Sequence, residues 1–348
     1  MQLADIVQPL TVWYQKNARP LPWREDPIPY HVWISEIMLQ QTRIEAVIPY
    51  YRRFLEAFPS EKVLAAAPEE AVMKYWEGLG YYSRARNIHK AAKAIVTRGG
   101  FPTTYRDLLT LPGIGAYTAG AIASICFGEA VPAVDGNVLR VIARLTADRG
   151  DVTRPETKNR MTEDLLQIYP KGKQSSLLTQ GLMELGERVC IPNGTPACEN
   201  CPLFPLCLSR KSGLWREIPL RKKQKERPVE EKTVFLFYCR ESGRYALRKR
   251  PDTGLLASLY EFPNCAGRLS SEDAKAQAEA LELLPETPEP LGDAVHVFTH
   301  LEWHMTGYLI PCHREGGDFL WETPEEILRS YAMASAFRTY KKELFPDS

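Results

Sequence analysis

Two carboxylates sit in contrasting settings that together could cleave a glycosidic bond. Glu36 lies in the run Trp33-Ile34-Ser35-Glu36-Ile37-Met38-Leu39-Gln40-Gln41-Thr42, and Asp135 in Pro132-Ala133-Val134-Asp135-Gly136-Asn137. Read as a helix, the first run flanks Glu36 with Ile34, Ile37 and Met38. Desolvation there would raise the carboxyl pKa and suit it to donate a proton. Asp135 precedes a fresh apolar period, Val138, Val141, Ile142 and Leu145, so its carboxylate is expected at a helix start. One group would protonate the leaving group while the other stabilises oxocarbenium-like charge. Singly, each has an ordinary alternative, Glu36 on a polar helix face and Asp135 as a cap.

Twenty residues before Asp135 the chain reads Leu111-Pro112-Gly113-Ile114-Gly115. A turn with two glycines between helices leaves backbone N–H groups unpaired where the next helix dipole favours an anion, which makes a phosphate clamp. Glycine serving only as a helix C-cap is the plain alternative. Clamp and carboxylates together point to chemistry on a nucleic acid.

Of eight cysteines, Cys190, Cys198, Cys201 and Cys207 are clustered, with seven, two and five residues between them. In a reducing compartment such a cluster means metal. Structural zinc and an iron–sulfur cluster both suit four thiolates, and spacing leaves the choice open.

The elements that must position these residues fall into two grammars. At 348 residues the chain exceeds one ordinary core. From Leu3 to about Arg188 the apolar spacing is helical, with stripes at Ile44, Val47, Ile48, Tyr51 and Phe54 and at Ile88, Ala91, Ala92 and Ile95. After a polar segment containing the basic run Arg221 to Pro228, β-rich runs appear at 233–239, 245–249, 295–299 and 303–310, with helices expected over 271–283 and 325–331. The expected domains are an all-α domain over 1–208, a linker over 209–232 and an α+β domain over 233–348. Formal net charge is only +1, so a polyanion would be met by local patches. The opening segment lacks a signal-type apolar core and no stretch reaches membrane-spanning length, so a soluble, cytoplasmic protein without membrane contact is expected.

Several ordered segments carry a resemblance. Leu21-Pro22-Trp23-Arg24, Glu36 to Thr42, Gly78-Leu79-Gly80-Tyr81-Tyr82-Ser83-Arg84-Ala85-Arg86-Asn87, Leu111 to Gly120, Val134 to Asn137 and the cysteine cluster together resemble MutY-type adenine DNA glycosylases. These belong to the helix-hairpin-helix superfamily that includes endonuclease III. The resemblance implies an all-α helix-hairpin-helix glycosylase domain, its hairpin at about 108–128 and its cluster loop at 190–207, followed by an α+β Nudix-like domain. It implies excision of adenine mispaired with 8-oxoguanine or guanine in double-stranded DNA, by a monomeric protein whose protein partners the sequence does not name. On this resemblance Glu36 protonates adenine, Asp135 stabilises the sugar cation, Tyr117 and Asn137 orient them, and Gln180 contacts the flipped base. Arg24, Gln41, Thr42, Tyr81, Gly113 and Gly115 match DNA-contacting positions, with Gln41 and Tyr81 wedging into the duplex. Extrusion of the base is required because the bond is inaccessible inside the stack.

Phe298-Thr299-His300 matches a loop that reads 8-oxoguanine, with threonine where serine is commoner. The resemblance also favours [4Fe–4S] on Cys190, Cys198, Cys201 and Cys207, although this chain has one extra residue between the first two. The acidic pairs of a working Nudix helix are missing around Ser270 to Leu284, so hydrolysis by the second domain is not expected. Bifunctional relatives carry a lysine where Tyr117 stands, and tyrosine cannot form an imine, so a glycosylase without lyase activity is expected. An endonuclease III-like lyase and a DNA-binding protein without catalysis are the competing readings.

Overall fold

The computed structural model describes residues 2–221 and 226–344. Lys222, Lys223, Gln224 and Lys225 of the expected linker lie outside the described residues. The chain divides into two compact units, residues 1–66 with 87–224, and residues 67–86 with 225–348.

The first unit is helical. Its opening helix, Val7–Asn17, buries Leu10 and Tyr14, and Ile88, Ala91, Ala92 and Ile95 are all buried on the helix Ser83–Thr97. The helix carrying Glu36 spans Pro29–Leu39, starting at a proline whose missing N–H costs nothing there. It stops three residues before Thr42, because Gln41 takes the left-handed conformation at φ 56°. A short helix, Tyr105–Leu108, is capped by the Thr104 hydroxyl, which accepts from the Asp107 N–H. The Leu111–Gly115 turn then leads into the helix Ala116–Phe127. Asp135 caps the helix Gly136–Thr146 through the Val138 N–H at 2.8 Å. The helix Lys173–Arg188 packs against Val7–Asn17 and Gly136–Thr146. Residues 209–220 pack on this unit: Ile218 is buried in its core and the Leu220 carbonyl accepts from Val152 N–H at 3.2 Å.

The second unit holds a mixed sheet of strands β1 (Val229–Cys239), β2 (Arg244–Lys249), β3 (Tyr260–Glu261), β4 (Asn264–Ala266), β5 (Glu289–Val297), β6 (Glu302–Cys312) and β7 (Leu320–Glu322). Their order is β3-β2-β1-β6-β5, with β4 against β1 and β7 against β2. Parallel β1 and β6 pair from Val229 with Glu302 through Cys239 with Cys312, and the apolar run of β1 supplies Phe235 and Phe237 to a core shared with the helix Ser271–Ala280. β5 begins earlier than the 295–299 run, through a bulge at Pro290/Gly292, and ends at Val297. Phe298, Thr299 and His300 therefore lie in the turn after it, closed by Phe298 N–H to the Leu301 carbonyl at 2.8 Å. The helix at 271–283 ends at Ala280, and Glu282 and Leu284 have positive φ. Residues 67–86 join this unit: Lys74 Nζ donates to the Tyr331 carbonyl at 3.0 Å and Lys341 Nζ pairs with Glu77 at 2.6 Å. Among the described residues no helix is long and apolar enough to cross a membrane.

Candidate active site

Glu36 and Asp135 line one cavity in the helical unit, together with Tyr117, Asn137 and Gln180. Glu36 is 6 % exposed, and burial pushes its carboxyl from the ordinary 4.5 up to about 7, against the opposing effect of a hydrogen bond from Tyr117. Tyr117 Oη donates to Glu36 Oε2 at 2.6 Å. The Tyr117 hydroxyl is itself held protonated, first by burial and then by the neighbouring Glu36 charge. Tyr117 is the second residue of the helix Ala116–Phe127, which starts directly after the N-cap Gly115.

Asp135 is fixed on both oxygens. Oδ1 accepts from Val138 N–H at 2.8 Å and Oδ2 from Asn137 Nδ2 at 3.0 Å. Burial raises its pKa while those donors oppose the rise. Asn137 is in turn held by Arg140 Nη2 at 2.7 Å, and Arg140 also donates to the Gly186 and Cys190 carbonyls. Gly186 is required beside Asn137, since a Cβ there would stand 2.7 Å from the Asn137 Cβ.

The opposite wall comes from the N-terminal segment and the helix Lys173–Arg188. Glu184 is fully buried and pairs with Arg19 at 2.6 Å and Arg24 at 2.8 Å. Tyr14 Oη donates to Gln180 Oε1 at 2.7 Å, and the Arg24 guanidinium lies over the Tyr14 ring. Arg19, Glu184 and Tyr14 were not singled out in the sequence; the recurrence of Gln180 and Glu184 one helical turn apart was the available signal. Gln41 and Thr42 border a second opening shared with Glu36 and Asp135.

Gly113 needs its positive φ of 73°, and a Cβ there would meet Asn87 Cβ at 2.5 Å. Among the described residues the Gly113 and Gly115 N–H groups have no hydrogen-bond partner, as an anion clamp requires. In the second unit, Tyr81, Phe298, Thr299 and His300 line one cavity, with Tyr81 Oη 3.1 Å from Thr299 Oγ1. Tyr81 is 45 % exposed and left-handed at φ 48°.

Cys190, Cys198, Cys201 and Cys207 line a common pocket with Arg144 and Phe204. The longer first spacing is closed by Ala197 N–H to the Val189 carbonyl at 3.1 Å, which leaves 190–196 as a bulged loop. Burial pushes the Cys201 thiol up to about 12, with further upward pressure from the neighbouring cysteines. Four thiols lining one pocket are the donor type that a four-thiolate group takes, although among the described residues no three His, Cys, Asp or Glu side chains are gathered closely enough to hold a metal ion.

Residues 34–170 match the family model described as HhH-GPD superfamily base excision DNA repair protein, and residues 233–343 match the NUDIX domain model. The chain is 32 % identical over 301 residues to an adenine DNA glycosylase of Buchnera aphidicola (subspecies Schizaphis graminum), covering 86 % of this chain and 85 % of that one. It is 32 % identical over 401 residues to an adenine DNA glycosylase of Homo sapiens, covering 95 % of this chain and 73 % of the relative. Among solved structures, a thermostable thymine-DNA glycosylase superposes with a TM-score of 0.54 at 26 % identity, covering 60 % of this chain and 96 % of that one. With Glu36 and Asp135 lining one cavity of a helical glycosylase fold, a Nudix-like second domain and relatives matched over most of their length, the chain belongs to the adenine DNA glycosylases of base excision repair.

Proposed function

We propose that this adenine DNA glycosylase acts on adenine opposite 8-oxoguanine or guanine and releases it by hydrolysis without nicking the strand. The observation that carries the reading is Glu36, buried and poised near neutrality at about 7 in the same cavity as Asp135. A group at that pKa is substantially protonated at physiological pH and surrenders its proton readily. Glu36 protonates N7 of the extruded adenine, weakening the N-glycosidic bond. The Tyr117 hydrogen bond takes up the carboxylate charge that remains. Positive charge on the sugar is stabilised by Asp135, whose orientation Asn137 holds, and water completes the hydrolysis. Tyr117 offers no amine, so no imine to the sugar forms and the product is an abasic site.

DNA is gripped at the Gly113–Gly115 clamp, while Gln41 and Tyr81, both held in the left-handed conformation, act as wedges. Strained backbone of this kind persists where function uses it. Arg24 and Thr42 line the approach to the base. Cys190, Cys198, Cys201 and Cys207 would hold a [4Fe–4S] cluster, which would supply a structural lock on the 190–207 loop. That loop already meets the active site through Arg140, which donates to both the Cys190 carbonyl and Asn137.

Recognition of the opposite base is assigned to Phe298, Thr299 and His300. Phe298 is partly committed to packing, its ring 4.9 Å from that of Trp303, whereas Thr299 and His300 are exposed. The test is single-turnover excision of adenine opposite 8-oxoguanine and opposite guanine. Thr299→Val combined with His300→Ala is expected to cut the preference for 8-oxoguanine by about tenfold, the scale of one lost hydrogen bond or two, and to spare excision opposite guanine. Equal loss on both duplexes would contradict the assignment.

A further inference from the structure

The family model covers residues 34–170, so it contains Glu36, Tyr117, Asp135 and Asn137 but neither Tyr14 nor Gln180. Bond-breaking groups thus stand in the shared fold, and the facing wall is built from segments outside it. A residue on that wall that fixes which base is accepted need not touch the base.

Tyr14 stands behind the wall, 5 % exposed on the helix Val7–Asn17. Its hydroxyl donates to Gln180 Oε1 at 2.7 Å, while Gln180 Nε2 donates to Ser176 Oγ at 3.1 Å. An amide has two N–H donors and two carbonyl lone pairs. With one of each engaged, Gln180 presents one N–H beside one lone pair to the cavity it lines. That pair matches the 6-amino donor and adjacent ring-nitrogen acceptor of adenine; guanine places an acceptor oxygen where adenine has the amine.

Reversing the amide would bring its NH₂ against Tyr14 Oη. The buried phenol proton would then lose its acceptor, since among the described residues Gln180 is its only hydrogen-bond partner, and a stranded buried donor is costly. Burial also pushes the Tyr14 pKa up to about 12, so the proton is retained at physiological pH. We infer that Tyr14 is a positioning residue that locks the Gln180 amide in the orientation that reads adenine, setting base selectivity from outside the cavity. The inference rests on adenine removal with Gln180 as the reader.

The test uses the full chain and two duplexes that differ only in the target base, adenine or unsubstituted purine, which lacks the 6-amino group. Tyr14→Phe keeps the ring under the Arg24 guanidinium and removes only the hydroxyl. The adenine-to-purine ratio of single-turnover rates is expected to fall by roughly three- to tenfold. It should fall about as far in Gln180→Ala, and no further in the double variant. Ser176→Ala, at the other anchor, is the second probe and should lower the ratio in the same direction. Equal slowing on both bases, with the ratio kept in Tyr14→Phe and Ser176→Ala, would overturn the inference and leave Tyr14 a packing residue. Failure of the unaltered protein to release adenine would overturn the adenine reading beneath it.

Discussion

Glu36 joins two demands that oppose each other, a buried position and an ionisable group. Its folded pKa of about 7 lies above the ordinary 4.5, so the stability it contributes is complete below 4.5 and is lost as pH rises through 7. Glu36→Gln is therefore expected to be more stable than the unaltered protein at pH 8, by roughly 3 kcal/mol, with the difference vanishing towards pH 4.5. The same variant should release adenine about 100-fold more slowly or worse. Thermal melting across that pH range with single-turnover rates checks both; an unchanged rate, or a melting difference that grows towards acid, would remove Glu36 from its role. In the unaltered protein the rate should decline above pH 7 as Glu36 ionises, and at the acid end as Asp135, also raised by burial, gains a proton. The burial of Glu36 was legible because apolar neighbours in a helix desolvate whatever they enclose. The Tyr117 bond that tempers it was not, since it joins residues 81 positions apart.

Between the elements, glycines set how closely the catalytic segments approach. Gly120 lies within the helix Ala116–Phe127, where a Cβ would come 2.4 Å from the Pro132 carbonyl oxygen, three residues before Asp135. Backbone cannot yield as a flexible side chain can. Gly120→Ala should cost about 1–3 kcal/mol as overpacking and slow excision at least tenfold by displacing Asp135. Melting and single-turnover measurements test this together, and a variant indistinguishable from the unaltered protein in both would show that the two segments are not coupled here. The helices around Glu36 and over Gly136–Thr146 were legible through apolar neighbours and period, and the second also through its aspartate cap. The end of the first was misplaced because nothing in Leu39-Gln40-Gln41-Thr42 is a helix breaker, and only the folded chain imposes the left-handed Gln41. β3, β4 and β7 are two or three residues long, too short for alternation to register. β5 was clipped because its first half holds a proline and a bulged glycine, both poor strand signals.

Across the whole chain, the change from helical to β grammar was visible in composition, since period 3.6 and period 2 are distinct signals. The grouping of residues 67–86 with the C-terminal residues was invisible, because contacts such as Glu77 with Lys341 leave no local pattern. The opposite wall was only partly legible: Arg24 and Gln180 came from resemblance, while Arg19, Tyr14 and Glu184 emerge from long-range pairing. The reaction joins these scales, requiring a proton donor, a charge stabiliser and no amine nucleophile. The most direct measurement incubates the protein with duplex carrying adenine opposite 8-oxoguanine, and with duplex carrying thymine glycol, each sample divided between alkali and neutral quenching. Strand cleavage only after alkali, and only on the adenine duplex, is the predicted result. Cleavage without alkali at the rate of base loss, or processing of thymine glycol instead of adenine, would contradict it.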